Sequence, residues 1–404
     1  MVKRPNRLHM MNMMRHLLVP NRKVEAILVQ ITEHNWLAEG QRIFSSDDGS
    51  HRLIPLAVSA DSNLPKPFSN FDIIVCEGKI DERIDTDWWN HLTKLVGKET
   101  VFKYQESWPS SHEFFGDMMI VRIDDEIKSY TSEIAEAKLL SHPSIRLVLS
   151  DGGVMGEYRI RDLEPIGARK ESIIYTEKIP VDSLNTKVLI KESGRFISCD
   201  PTVAYYSTKL QTERLETLSL AKELRAELNR PLAVCDPFCG VGPALSTLIG
   251  EKGLVDEVLA SDLNSKAVEL LFENLQRWDK RKYPKKTDHL KNYYTDRIIG
   301  LADATKLSKN PELTGRWDLI LVNLPHRTIE FLPSLIPLLN RKNPSLIRGR
   351  VIVAESEISS TNEKINSILP SILPGKPKPK LKIKRDYSSA LRLCSFEAWI
   401  SPED

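Results

Sequence analysis

Residues 233–264 read AVCDPFCGVGPALSTLIGEKGLVDEVLASDLN, the order of a short apolar strand, a glycine turn, a helix, a second strand and an acidic stop. The first strand, 233–235, ends in Asp236. Gly240 and Gly242 then turn the backbone tightly, and Pro243 can open the next helix at its first position, where a missing N–H costs nothing. The second strand, 257–261, ends in Asp262. Two acids at the carboxyl ends of successive parallel strands face the crevice in which open α/β sheets bind ligands. A dinucleotide site would carry G-x-G-x-x-G before a free helix N-terminus. Here an aspartate precedes the glycines and the third glycine is absent, which disfavours phosphate. A ligand with a cationic amino acid part and a ribose fits better. The amides around Phe238, Gly240 and Gly242 would lie close to the amino acid moiety, Asp236 near its ammonium, and Asp262 with Leu263 at the ribose. That describes S-adenosylmethionine. A sheet that merely packs well explains neither the D-x-F-x-G-x-G turn nor the second acidic strand end.

Working outward, a second crossover helix falls at 268–275 and a third strand at 298–301, followed by Asp303 and Ala304. A fourth strand, 318–322, runs into Asn323-Leu324-Pro325, and 350–354 is a fifth. Segments 381–384 and 394–400 complete a seven-stranded sheet with one antiparallel strand near its edge, beyond a loop PGKPKP. Upstream, a helix spans 210–228 with Thr212-Glu213-Arg214 in its first turn, preceded by Tyr205-Tyr206-Ser207. Four strand ends thus converge on one crevice edge. Asp303 is placed to accept from an adenine amino group. Asn323, followed by a proline, supplies a fixed side-chain amide and carbonyls beside the sulfonium methyl, which suits a planar nitrogenous base held edge-on. An enzyme that modifies a base must extrude it from its stack, and Tyr205, Tyr206 or Phe238 offers a face for it, unless these rings are core.

At 404 residues the chain exceeds what one core usually supports. We read a small α/β domain over 1–70, a middle α+β domain over 71–200 and a ligand-binding domain over 201–404. Segment 22–56 begins with apolar periodicity (VEAILVQI) and ends in a strand (RLIPLAV); FDIIVCEG at 71–78 alternates like another. The middle region holds a buried strand at 114–123, a helix at 132–140, and a strand at 145–149 closed by Asp151-Gly152-Gly153. Arg159 and Arg161, two apart on the strand that follows, share a face. That face is a solvent side or a substrate side.

The 57 basic and 55 acidic residues leave a net charge of only +2, so nucleic-acid affinity must come from local clusters. KRKYPKK at 280–286 and KPKPKLKIKR at 376–385 are two such runs, each otherwise a solvated loop. The five cysteines form no CxxC pair and read as free thiols of a reducing compartment. No apolar run approaches the ~18 residues of a membrane span. The first 24 residues hold six Lys and Arg and no acid, but also no serine. A basic arm or the start of the first domain accounts for them better than a targeting peptide.

The combination FISCDPTVAYYSTKLQTERLE, DPFCGVGP, SDLNSKAVELLFEN, LADAT and VNLPHRTIEFL resembles the archaeal and eukaryotic tRNA (guanine-37-N1)-methyltransferases. HEFFGDMMIVRI, IAEAKLLSHPSIRLVL and GVMGEYRIRDLE are similar to that family's middle domain, so the resemblance covers roughly 108–400. It implies a C-terminal Rossmann-like class I methyltransferase domain, S-adenosylmethionine as cofactor, tRNA as partner, and a cytoplasmic monomer. The related wybutosine-pathway aminocarboxypropyltransferases share the fold but usually carry GYF after the first glycine motif and lack NLP. Guanine N1 bears a proton, so a base must remove it while a cation meets the charge developing on O6. The resemblance implies Glu213 as that base, Arg161 as the O6 partner with Arg159 as the competing alignment, and Asn323 and Pro325 at the base edge. Lys209 stands where the family usually has an arginine, keeping charge but losing the bidentate fork, and Ala244 replaces a ring beside the cofactor. Two other expectations compete: a wybutosine-type transfer at the same tRNA position, and a non-catalytic RNA-binding relative that retains the fold.

Overall fold

The computed structural model describes residues 13–403 except 35, 39, 62–63, 80–86, 157, 159 and 172. Most of the basic opening segment, 1–12, lies outside the described residues. The chain divides into two compact units, one of Met1–Trp108, Asp125–Ile145 and Arg169–Lys178, the other of Pro109–Asp124, Arg146–Ala168 and Ile179–Asp404.

In the first unit, β1 (Met13–Pro20), β2 (Phe44–Ser45), β3 (His51–Pro55) and β4 (Asp72–Glu77) form an antiparallel sheet in the order β2-β3-β1-β4. The expected strand at 71–78 is therefore β4, paired with β1 from Met13↔Glu77 to Leu18↔Asp72. Helix α1 (Val24–Glu33) buries Ile27 and Ile31 in a core with Leu17, Val19, Ile54 and Phe68. Helices α2 (Trp88–Val96), α3 (Lys98–Lys103) and α4 (Thr131–Ser141) complete the unit; the Asp87 side chain caps α2 by accepting from the Trp89 amide.

The second unit opens with β5 (Glu113–Phe115) and β6 (Met118–Val121), an antiparallel hairpin where one strand was expected. Gly116 makes the turn at φ +64°, and a Cβ there would meet Val188 at 2.9 Å, so only glycine fits. β7 (Leu147–Met155) pairs parallel with β6 and antiparallel with β8 (Ile160–Lys170). The Asp151-Gly152-Gly153 segment does not close β7 as expected. The strand absorbs it as a register shift between Asp151 and Val154 and runs on to Met155. β9 (Ile173–Tyr175) lies in the first unit; β10 (Val188–Glu192) and β11 (Arg195–Cys199) form a hairpin in the second.

The main sheet has eight strands in the order β14-β15-β13-β12-β16-β17-β19-β18. These are β12 (Leu232–Asp236), β13 (Val255–Asp262), β14 (Lys291–Tyr294), β15 (Arg297–Leu301), β16 (Leu319–Val322), β17 (Ser345–Ala354), β18 (Lys382–Asp386) and β19 (Leu391–Ile400). All seven expected strands are present, and β19, next to the edge, runs antiparallel to β17 and β18. The eighth, β14, follows the basic run 280–286 and pairs antiparallel with β15.

Helices α5 (Gln211–Leu228), α6 (Pro243–Gly250) and α7 (Ser265–Asp279) cover one face with Ala221, Leu224, Leu245, Leu248, Leu271 and Leu275. Helices α8 (Thr328–Leu335) and α9 (Ile358–Ile368) cover the other with Leu332, Leu335 and Ile365. Along β12, Val234 enters the first cluster and Cys235 the second, as a period of two requires when both faces are buried. Each fully buried Leu or Ile contributes about 1.5–3 kcal/mol against exposure. The start of β12 is fixed to β16 by the fully buried Asp318, which accepts both guanidinium prongs of Arg230 (2.7 and 2.8 Å), the Ala233 amide (2.9 Å) and the Asn340 amide group (3.0 Å).

Candidate active site

The direction of winding reverses between β13-β12 and β16, and the carboxyl ends of those strands open into a cavity of about 410 Å³ in the second unit. Its walls are built by short stretches that follow the strands. Asp236 to Gly240 follow β12, Asp262 to Asn264 end and follow β13, Ala302 and Ala304 follow β15, and Asn323 to Arg327 follow β16.

The glycine turn has the expected geometry. Gly240 and Gly242 lie at φ +53° and +83°, and a Cβ on Gly242 would come within 2.6 Å of Leu271. The Gly240 amide donates to Asp262 Oδ2 (2.9 Å), the Asn264 amide to Asp262 Oδ1 (2.9 Å), and the Cys239 amide to the Ser261 carbonyl (3.0 Å). Burial raises the Asp262 carboxyl, and those amides pull it back. Asn264 caps α7 by accepting from the Lys266 amide (3.0 Å), while its own Nδ2 donates to the Val203 carbonyl (2.7 Å). That bond fixes the segment carrying Tyr205, whose ring lines the cavity and is 46% exposed. Tyr206 also lines the cavity but is only 3% exposed, its hydroxyl donating to Glu192 (2.6 Å), which also holds Arg214 (2.6 Å).

Asp236 is 1% exposed, and neither carboxylate oxygen has a hydrogen bond of normal geometry; the Phe238 amide is the backbone donor that acts on it. Burial pushes its carboxyl up to about 7, opposed by the Phe238 amide, reinforced by Asp262 and opposed again by Arg350. A buried, unsatisfied acid is costly unless a ligand supplies donors. This orphaned carboxylate is where the ammonium of an amino acid group would fit.

Glu213 sits in the first turn of α5, is 6% exposed and is not part of the cavity lining. Its Oε2 lies 3.0 Å from Nε of Arg350 on β17, and Arg350 does line the cavity, as do Leu210 and Arg214 beside Glu213. Asp303 stands behind the wall formed by its neighbours Ala302 and Ala304. It accepts from the Thr305 amide (3.0 Å) and hydroxyl (2.7 Å) and pairs with Lys306, bonds that hold its carboxyl below the usual range. Arg161 points into two ion pairs, with Glu113 (2.9 Å) and Asp151 (2.7 Å), and is absent from the lining, which Tyr158 reaches from the same segment. Arg159 lies outside the described residues. Lys209 is exposed and away from the cavity.

Of the expected residues, the structure brings Asp236, Phe238, Gly240, Asp262, Leu263, Ala304, Asn323, Pro325 and Tyr205 together at the cavity; Gly242 supports the turn from behind. Sequence reasoning missed Asn264, Arg214, Arg350, Arg385 and Tyr387. The signal for Arg350 was a charged residue in a central strand, shared with Arg348 two positions earlier. Among the described residues, no group of three His, Cys, Asp or Glu is placed to hold a metal, and no helix is long and apolar enough to cross a membrane.

A family model described as the TYW2 N-terminal domain matches residues 92–167. The chain is 29% identical over 233 residues to the tRNA (guanine(37)-N(1))-methyltransferase Trm5b of Pyrococcus abyssi, a match covering 57% of each. It thus spans only about half the length of the curated relatives it matches. The solved structure of Trm5b from Pyrococcus abyssi covers 96% of this chain and 100% of its own, at 22% identity and a TM-score of 0.60. That of the complex of aTrm5 and tRNALeu covers 96% and 99%, at 19% identity and a TM-score of 0.65. The fold is thus that of the Rossmann-like class I methyltransferases, with the cavity of the second unit at the carboxyl edge of the sheet. Within that class, the chain is similar in sequence to the tRNA (guanine-37-N1)-methyltransferases.

Proposed function

We propose that this protein is an S-adenosylmethionine-dependent enzyme that methylates N1 of the guanine at position 37 of tRNA, acting as a cytoplasmic monomer. The observation that carries the reading is the unsatisfied Asp236 carboxylate at the glycine turn, in one cavity with Tyr205 and the Asn323-Leu324-Pro325 loop. Bound there, S-adenosylmethionine supplies an electrophilic methyl carbon, which leaves sulfur as a neutral thioether.

The protein's own residues do the rest. Asp236 holds the ammonium, Asp262 the ribose hydroxyls, and Ala302 and Ala304 line the adenine end, with Asp303 behind them fixing the turn through Thr305. Tyr205 offers a stacking face to an extruded base, and Asn323 fixes its edge. Glu213 accepts the N1 proton as the N1 lone pair takes up the methyl. The 1–70, 71–200 and 201–404 domain division belongs to this reading, with the first two parts gripping the tRNA body. A second reading, transfer of an aminocarboxypropyl group at the same position, is favoured by the match of 92–167 to the TYW2 N-terminal domain.

One experiment decides between them. tRNA transcripts bearing guanine or adenine at position 37 are incubated with cofactor labelled separately in the methyl and carboxyl carbons, then digested to nucleosides. Methyl label in 1-methylguanosine, on the guanine transcript alone, is the expected result. Carboxyl label in the product supports the second reading. Bound cofactor with no label in any tRNA leaves a non-catalytic RNA-binding protein.

A further inference from the structure

Arg350 is a guanidinium with five N–H donors on a side chain only 10% exposed. Its one partner among the described residues is Glu213, 3.0 Å away, and the pair lacks hydrogen-bond alignment: Arg350 Nε and Glu213 Oε2 are both unsatisfied. The charged or titratable groups that face Arg350 are Glu213 and Arg214 from α5, Arg348 from its own strand, Tyr205 from the segment before α5, and Asp236 at the end of β12, on which Arg350 acts in turn. Arg348 is occupied by Glu216 (2.8 Å) and Glu397 (2.9 Å), and Arg214 by Glu192. Arg348 Nε is also unpaired, but both terminal amino groups of Arg348 and of Arg214 are taken; among the described residues of this group, Arg350 is the one whose guanidinium makes no hydrogen bond to a protein acceptor. It also lines the cavity, and its strand holds the Asn323 loop. The Arg350 carbonyl accepts from the Thr328 hydroxyl (2.5 Å), and the Ile352 amide donates to the Pro325 carbonyl (2.9 Å).

We infer that Arg350 is the cation that meets O6 of the target guanine and, with Glu213, reads its Watson–Crick edge. This rests on the function proposed above. Guanine presents an N1–H donor beside an O6 acceptor, whereas adenine presents an N1 acceptor beside an N6–H₂ donor. A carboxylate next to a guanidinium matches the first order and opposes the second. As N1 gives its proton to Glu213 and its lone pair to the methyl carbon, negative charge moves toward O6. A fixed guanidinium in a site shielded from water stabilises that charge without reorganising. Arg161, engaged by Glu113 and Asp151, then serves to brace the β7–β8 edge beside Tyr158.

The test is single-turnover methylation of guanine-37 transcript by the full chain, as wild type, Arg350→Gln and Arg350→Lys, across a pH series, with tRNA and cofactor affinities measured separately. Arg350→Gln is expected to lower the single-turnover rate about 100-fold, the scale of one lost donor to a developing oxyanion. It should leave tRNA and cofactor affinities within about threefold and make the rate climb more steeply with pH. Arg350→Lys, which keeps the charge, should recover part of the loss. It also carries the test if the glutamine variant fails to fold. A rate within threefold of wild type in whichever variant folds, or a loss confined to either affinity, overturns the inference and leaves the proposed function standing. A wild-type chain inactive on guanine-37 removes both.

Discussion

Two carboxylates that differ by one neighbour have different fates at the residue scale. Glu213 is buried but has Arg350 at 3.0 Å; Asp236 is buried with no hydrogen bond of normal geometry. Glu213→Gln should leave cofactor affinity nearly unchanged while lowering the single-turnover rate by about 100-fold or more, the usual scale for a lost general base. Near-normal turnover of that variant would remove Glu213 from the chemistry. For Asp236 the sign of the pH effect follows from its carboxyl being raised to about 7 in the folded chain, against an ordinary value near ~3.9 in the unfolded one. Between those values the folded state holds one more proton than the unfolded state, so the ligand-free protein loses stability as pH rises through that window. Cofactor binding, which needs the ionised form opposite an ammonium, should strengthen over the same rise. Asp236→Asn should flatten both trends and weaken cofactor about 10- to 100-fold, the worth of one charged hydrogen bond. Equilibrium binding and thermal melts over pH 5–8 would read both, and an unchanged affinity in Asp236→Asn would count against the ammonium pairing.

Legibility follows local chemistry at the element scale. The run from β12 to the end of β13 was readable because each part obeys a short-range rule: apolar strand, positive-φ glycine, Pro243 at the first helical position, aspartate at the strand end. Elements whose shape depends on a distant neighbour were not readable. Gly116 makes a hairpin because Val188 leaves no room for a Cβ. β14 forms because β15 offers an edge, although its own residues are polar. Arg161 and Arg350 show the same limit: one looked free and is engaged by two acids, the other looked like strand and faces the cavity. The Asp318 clamp is a further long-range feature, joining residues 230, 233 and 340. Asp318→Ala removes the acceptor of the Arg230 guanidinium and the Ala233 amide at the start of the two central strands. The Arg230 side chain is 42% exposed and can turn to water, so the loss is set by the buried Ala233 amide and should be about 1–3 kcal/mol. A urea midpoint unchanged from wild type would show the strands to be fixed by packing alone.

With a net charge of +2 over the whole molecule, attraction for a polyanion has to be local, and the two basic runs differ in what is left free. In the second run, Lys376 pairs with Glu223, Lys382 with Glu397 and Lys384 with Glu216, so much of its charge is spent within the fold. In the first, an aromatic cluster of Phe272, Tyr283, Tyr293 and Tyr294 holds the segment, with Arg281 tied to Asp296 (2.6 Å) and Arg297 to Asp279 (2.9 Å). The side chains of Lys280, Lys282 and Lys285 remain exposed, their ammonium groups without a hydrogen bond or ion pair among the described residues, while the Lys282 carbonyl accepts from the Tyr294 hydroxyl (2.7 Å). Helix α7 runs from the cavity edge at Asn264 to this segment, a length of about 22 Å at 1.5 Å per residue, within reach of a folded RNA whose target base occupies the cleft. Each lysine that neutralises a phosphate adds about 0.7 to 0.9 to the slope of log affinity against log salt. The triple variant Lys280→Ala, Lys282→Ala, Lys285→Ala should therefore reduce that slope for tRNA by about two to three. Its single-turnover rate at saturating tRNA should match wild type, because none of the three touches the cavity. An unchanged slope would make this segment a solvated loop and would leave the phosphate contacts to cations elsewhere on the chain.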